Sequence, residues 1–241
     1  MNISDSAALV TGASRGLGAA LASELAARGA RVVLVARESA ALVETVERIR
    51  ADGGTAFALP ADVADKNASY PLAAAAAELV GPIDLLVHNA SSLGPTPLRL
   101  LLDTECEDLA RVLAVNLVGP FRLTRAIAGS MALRRTGTIV HLSSDAAVSA
   151  YARWGAYSVS KAALDHLSRL WAEELGPHGV RVLAFDPGEM DTVMHREAMP
   201  EADRATLADP KQVARRLLTV LTRGSVPNGV RLLASEVEHA S

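Results

Sequence analysis

Short, uninterrupted apolar runs alternate with longer segments of helical periodicity from one end of this chain to the other, and few folds accommodate that pattern. The runs are "AALVTG" (7–12), "RVVLVA" (31–36), "TAFALP" (55–60), "IDLLVHN" (83–89), "GTIVHLS" (137–143), "VRVLAFD" (180–186) and "GVRLLAS" (229–235). A strand wetted on one face alternates apolar and polar residues. These runs do not, so each is expected to be buried on both faces, as in a parallel sheet covered by helices. The expected fold is doubly wound α/β, a seven-stranded parallel sheet with helices on both faces. Helices are expected at about 16–28, 38–51, 66–80, 104–133, 155–176 and 210–222. Gly29, Gly53-Gly54, Gly81-Pro82, Gly176-Pro177 and Gly224 supply stop signals, and Asp209-Pro210 reads as a cap followed by proline at the first helical position.

A length of 241 residues suits one domain over 1–241. Half the residues are hydrophobic but only 3% aromatic, so Ala, Val and Leu must build the core. Residues 189–209 are long for a connection and are expected to form a mobile substrate flap. A net charge of −3 without a Lys/Arg run argues against a nucleic-acid partner. No apolar stretch approaches the roughly 20 residues that span a bilayer, so no membrane partner is expected. The lone Cys106 and an opening without a basic-then-apolar leader suggest a cytoplasmic protein. His88, His141, His166, His178, His195 and His239 lack metal-ligand spacing, so no metal is assigned.

"LVTGASRGLGAAL" puts Gly12, Gly16 and Gly18 between the first strand and first helix. Glycine there lets a pyrophosphate approach the backbone and the helix pack on the strand, while the helix N-terminus offers N–H groups to the anion. An ordinary tight connection is the plainer alternative. The second strand ends "VLVARES". An acidic residue there would accept from the ribose hydroxyls of NAD and repel a 2′-phosphate; Arg37, aided by Arg15, would instead hold that phosphate. NADP(H) is the expected cofactor, against the alternative of a solvated arginine.

In their order along the chain these residues resemble the short-chain dehydrogenase/reductase family, whose fold is of the Rossmann type. "TGASRGLG" is similar to its TGxxxGxG cofactor turn, which implies cofactor contacts from Gly12, Ser14, Arg15, Gly16, Leu17 and Gly18. "ADV" resembles its adenine-contacting segment, implying Asp62 and Val63, and "HNAS" resembles its NNAG, implying Asn89, Ala90 and Ser91. "VLAVNLVG" carries Asn116 at the family's catalytic asparagine. Ser144 stands thirteen residues before Tyr157, the family's spacing for the catalytic serine, and "YSVSK" matches its YxxxK, with Lys161. "DPGEMDT" is similar to its PGxxxT, implying that Pro187, Gly188 and Thr192 meet the nicotinamide end. Two positions depart from the pattern: His88 replaces the first Asn of NNAG and Ser91 its Gly. The family's frequent C-terminal Asp-Gly-Gly is also absent.

Tyr157 and Lys161 are four residues apart, so on a helix they share a face. A phenol titrates near ~10, and a fixed ammonium beside it would favour phenolate and tune it toward neutral pH. The resemblance implies that Lys161 also holds the nicotinamide ribose, Ser144 the substrate oxygen and Asn116 a relay water. It also implies a homodimer or homotetramer paired through the helices near 104–133 and 155–176. The expected activity is hydride transfer between NADP(H) and a carbonyl or alcohol, with Tyr157 as general acid and base. The alternatives are a non-catalytic NADP-binding sensor or scaffold, and an epimerase or dehydratase on the same fold. Leu93, Val148, Tyr151, Trp154, Met190, Met194 and His195 are expected to line the substrate pocket, with Asp145, Glu189 and Asp191 as carboxylates near it. "NASSLG" bears a likeness to sepiapterin reductases, which would imply a pterin-like or other heteroaromatic ketone.

Overall fold

Every residue of β1 (Ala7–Thr11) is buried, as continuous apolarity predicts for a strand covered on both sides. In the computed structural model, which describes residues 1–223 and 226–237, six further strands flank it. They are β2 (Arg31–Ala36), β3 (Thr55–Pro60), β4 (Leu85–His88), β5 (Gly137–Leu142), β6 (Val180–Asp186) and β7 (Arg231–Leu233). All pair in parallel, in the order β3-β2-β1-β4-β5-β6-β7. Gly224, His239 and the end of "LLASEVEHAS" lie outside the described residues.

The helices are α1 (Gly16–Ala27), α2 (Ser39–Ala51), α3 (Ser69–Val80), α4 (Cys106–Leu113), α5 (Gly119–Arg134), α6 (Gly155–Leu175), α7 (Val193–Ala198) and α8 (Pro210–Thr222). Successive strand side chains point to opposite faces. Val10, Leu34, Val87 and Leu183 therefore join a core with α1, α2 and α8, while Leu9, Val33, Leu86 and Val182 join one with α3, α5 and α6. No described helix is long and apolar enough to cross a membrane.

Two expectations need correction. The helix expected over 104–133 is two, α4 and α5, joined by a π-helical turn over Ala114–Val118. Asn116 sits in that turn, held by four hydrogen bonds to its neighbours, and the wider turn is what aims it inward. The helix expected from 66 begins at Ser69, because Asp62 and Asp65 bind the N–H groups of Ala64 and Asn67 and turn the chain first. Residues 189–209, expected as a mobile flap, carry structure of their own: α7, a 3-10 turn over Arg204–Thr206 and a bridge from Met190 to Ala208. Asp191 ties this segment together, meeting Arg196 at 2.8 Å and Arg204 at 2.7 Å.

Candidate active site

Strand order reverses between β1 and β4, and at such a switch point the loops at the strands' carboxyl ends part to leave a crevice. Gly12 closes β1 with φ +65, and a Cβ there would lie 2.8 Å from the Ala90 Cα. At Gly18 a Cβ would meet the Gly12 carbonyl oxygen at 2.3 Å, so this glycine serves close packing of α1 on β1. Asn89 secures the turn: its Nδ2 donates to the carbonyls of Thr11 and Gly12, while Thr11 Oγ1 accepts from the N–H groups of Asn89 and Ala90. The Asn89 carboxamide is thus committed to holding β1 and β4 together. Arg15, at the head of α1, makes no side-chain cap, so N–H groups of the first turn remain for an anion.

Beside this turn runs a cleft of about 320 Å³ lined by Gly12, Ser14, Arg15, Gly16, Leu17, Arg37, Asp62, Val63, Asn89, Ala90, Ser91 and Thr192. A glycine cradle under an uncapped helix fits a dinucleotide. Neither Arg15 nor Arg37 makes an ion pair among the described residues, and Glu38 borders the cleft next to Arg37. Leu93, Met190, Thr192 and Met194 also border a second cavity, of about 270 Å³, where Ser144, Tyr157, Pro187 and Gly188 lie. Pro187 and Gly188 therefore face the cavity and not the cleft. Leu93, Tyr151, Trp154, Met190, Met194 and His195 line it as expected, with Asp145 and Glu189. Val148 does not, being 70% exposed, and Asp191 is occupied by its two arginines.

The four expected catalytic residues converge where cleft and cavity meet, although two lie behind the surface. Asn116 is buried. Its Oδ1 accepts from Ser91 Oγ at 3.2 Å and Ser92 N at 2.7 Å, and its Nδ2 donates to Ser92 O and Ser160 Oγ at 2.9 Å each. All four side-chain positions are filled, so the carboxamide pins the β4 loop to α6 and is not free to hold a water, as the family resemblance had implied. Tyr157 is 9% exposed, and the hydroxyls of Ser144 and Ser91 favour the ionised form of its phenol. Ser144 Oγ donates to Asp145 Oδ1 at 2.9 Å, and Tyr151 donates to the other Asp145 oxygen.

The expectation that Lys161 lowers the Tyr157 phenol is corrected here. Burial pushes the phenol up to about 12, with Asp186 and Asp145 adding to the rise and the two serines opposing it. Lys161 is itself buried, which pulls its ammonium down to about 8 against the upward influence of Asp165 and Asp186. Its Nζ donates to the Leu142 carbonyl, not to the phenol.

Sequence reasoning missed the layer beneath. Arg231 meets Asp165 at 3.0 Å and Asp186 at 2.7 Å, and donates to the Ser144 carbonyl at 3.0 Å, fixing the main chain at Ser144. Only the i, i+4 spacing of Lys161 and Asp165 hinted at it. His88, a departure from the family pattern, turns away from the cleft. It stacks on His141 with ring centroids 4.9 Å apart and meets Thr124 of α5. Among the described residues no three His, Cys, Asp or Glu side chains gather to hold a metal.

A glycine turn beneath an uncapped helix, at the reversal of strand order, defines a dinucleotide-binding protein of the doubly wound class. The sequence profile of short chain dehydrogenases matches residues 6–203, and the chain belongs to the short-chain dehydrogenase/reductase family, oxidoreductases that use nicotinamide cofactors. It is 37% identical over 209 residues to an L-rhamnose 1-dehydrogenase (NAD(P)(+)) of Azotobacter vinelandii, spanning 85% of this chain and 80% of that one. Its fold matches NAD+-bound xylitol dehydrogenase with a TM-score of 0.87 at 26% identity, covering 97% of this chain and 98% of that one. A metagenomic short-chain oxidoreductase in complex with NADP matches at 0.82 and 32% identity, over 97% and 98% of the two chains.

Proposed function

We propose that the protein is a cytoplasmic, NADP(H)-dependent carbonyl reductase, running in reverse as an alcohol dehydrogenase, with Tyr157 as general acid and base. The observation that carries this reading is that Ser144 and the buried Tyr157 line one cavity, which shares Leu93, Met190, Thr192 and Met194 with the cleft beside the glycine turn. When bound, the nicotinamide supplies or accepts the hydride. Tyr157 gives its proton to the substrate oxygen as alkoxide charge develops there, and recovers one in the opposite direction. Ser144 supplies a second donor to that oxygen by turning its O–H away from Asp145. Lys161 keeps a positive charge beneath the phenol and reaches the nicotinamide ribose, with Asp165 and Asp186 as its counter-charges.

Two uncommitted guanidiniums beside the cleft, Arg15 and Arg37, support NADP(H) over NAD(H). The cavity lining includes Asp145 and Glu189 but no Lys or Arg, with apolar walls from Leu93, Trp154 and three methionines. That balance favours an uncharged or cationic carbonyl compound over an anionic one. Within it, both ring nitrogens of His195 lack a hydrogen-bond partner, with Glu189 3.9 Å away, and they are the polar groups we assign to substrate recognition. Exposed Phe121 on α5 and Val159 and Leu170 on α6 support pairing of these helices in a homodimer or homotetramer, which light scattering would test.

Purified protein given NADPH and a panel of neutral, cationic and anionic ketones and aldehydes should oxidise the cofactor. Tyr157→Phe should reduce turnover by at least ~100-fold. Undiminished turnover in that variant would overturn the mechanism and leave a binding protein as the better reading. Arg37→Asp should move preference toward NADH; a wild-type preference for NADH would overturn the cofactor assignment.

A further inference from the structure

Asp145 follows Ser144 in the chain and lines the same cavity as Ser144, Tyr151 and Tyr157. Three donors converge on its carboxylate: Ser144 Oγ and the Ala146 N–H meet Oδ1 at 2.9 and 2.8 Å, and the Tyr151 hydroxyl meets Oδ2 at 2.9 Å. In the reaction proposed above, the Ser144 O–H turns to the substrate oxygen. That turn vacates a lone pair of Asp145 Oδ1 beside the reacting group, while Ala146 and Tyr151 keep the carboxylate where it is.

We propose that Asp145 selects substrates with a hydroxyl on the carbon next to the carbonyl: an α-hydroxy ketone or aldehyde, and in the reverse direction a vicinal diol. The proposal rests on Ser144 and Tyr157 acting as in the reductase reading. Ser144 gives its hydrogen bond to the carbonyl oxygen, and the neighbouring hydroxyl of the substrate gives one to Asp145 Oδ1 in its place. Hydride and phenolic proton move as before; Asp145 neither gains nor loses a proton.

Spacing favours a vicinal pair. Ser144 Oγ and Asp145 Oδ1 stand 2.9 Å apart, and two gauche oxygens on adjacent carbons lie about as close as two hydrogen-bonded oxygens do. One substrate unit can therefore meet both groups at once. A ketone without the hydroxyl leaves the vacated lone pair with no donor from the substrate. An α-alkoxy ketone or a diketone offers Asp145 only acceptors. Charge narrows the class further, because the cavity lining has Glu189 besides Asp145 but no Lys or Arg, so an α-keto acid would bring its carboxylate against theirs. Leu93, Trp154 and Met194 give the remainder of the molecule apolar walls.

Initial rates with NADPH test this on hydroxyacetone and butanone, which differ by a hydroxyl in place of a methyl, with methoxyacetone as the control for an electron-withdrawing oxygen that cannot donate. Wild-type kcat/KM should be about tenfold or more higher for hydroxyacetone than for either of the others, and Asp145→Ala should erase that ratio. An equal ratio in wild type and variant, or a wild type that takes methoxyacetone as readily as hydroxyacetone, overturns the assignment of Asp145 and leaves the reductase reading standing. Binding is followed apart from turnover in Tyr157→Phe loaded with NADP+, by ligand-observed NMR with propylene glycol against isopropanol. The diol should bind about tenfold tighter, and adding Asp145→Ala should remove the difference. Diol binding that depends on Asp145 in a protein that reduces no ketone upholds the contact and overturns the reductase reading. No preference for the diol in such a protein overturns both.

Discussion

Lys161 Nζ donates to the main-chain carbonyl of Leu142 at 2.7 Å, so the charge of the YxxxK pair is anchored on the last residue of β5. Four-residue spacing puts Tyr157 and Lys161 on one helical face, but it does not say which partner the longer side chain takes. The carbonyl holds the ammonium below the ring, in place for a ligand lying across the cleft.

This anchoring gives cofactor binding a pH dependence. Burial pulls Lys161 down to about 8, so its positive charge is present at neutral pH and is lost as pH rises past that value. NADPH affinity, followed by nucleotide fluorescence, should fall between about pH 7 and about pH 9. Lys161→Met should bind weakly throughout and lose that dependence.

Acid should destabilise the fold through the stacked His88 and His141. Burial holds His88 well below its usual range and His141 at about 3, with His141 adding to the fall at His88 and Lys161 to that at His141. The unfolded chain binds protons near ~6.5, so the stability from keeping both rings neutral is complete above that value and is lost as pH falls from there toward about 3. Urea unfolding should show up to about 1.4 kcal/mol lost per pH unit for each histidine. His141→Gln should remove about half of that slope; an equal slope in the variant would show that these rings are not its source.

Arg231→Met should cost about 3–5 kcal/mol, because it leaves Asp165 and Asp186 buried without the guanidinium that hydrogen-bonds both. Thermal unfolding measures the loss. The variant should also turn over more slowly below its melting range, since the Ser144 carbonyl loses the donor that fixes it.

Gly18→Ala should impair cofactor binding and destabilise by about 1–3 kcal/mol, because the new Cβ would meet the Gly12 carbonyl oxygen at 2.3 Å and force α1 off β1. Calorimetric titration with NADP+ and denaturant unfolding would both register it. Gly53→Ala, where nothing lies within 4 Å of the added carbon, is the control for the backbone cost alone at φ +85.

The strands were legible because burial on both faces leaves no room for polar residues, and β2, β3 and β6 match their apolar runs end to end. Helix ends were legible where a side chain marks them, as Asp209 does for α8 by accepting from the Lys211 N–H. The break at Asn116 was not, since "RVLAVNLVGPF" keeps a helical pattern and the wider turn is imposed by contacts from Ser92 and Ser160, distant in sequence. Residues of the site could be named from their order and spacing, but not their partners. The Arg231 network joins β7, α6, β6 and the end of β5, so each of its members looks like a solvated charge until the sheet is assembled.

The bridge between Met190 and Ala208 brings both ends of one excursion to a single neck. The entropy of closing that loop is therefore met at its base, and lengthening the tip adds only ~(3/2)RT ln of the length ratio. The tip carries Met194, His195, Ala198 and Met199, four of the residues around the second cavity, while no sheet strand runs through it. The tip can in this way be exchanged as a cassette, reshaping one wall of the cavity, without disturbing the register of the sheet or the position of Tyr157.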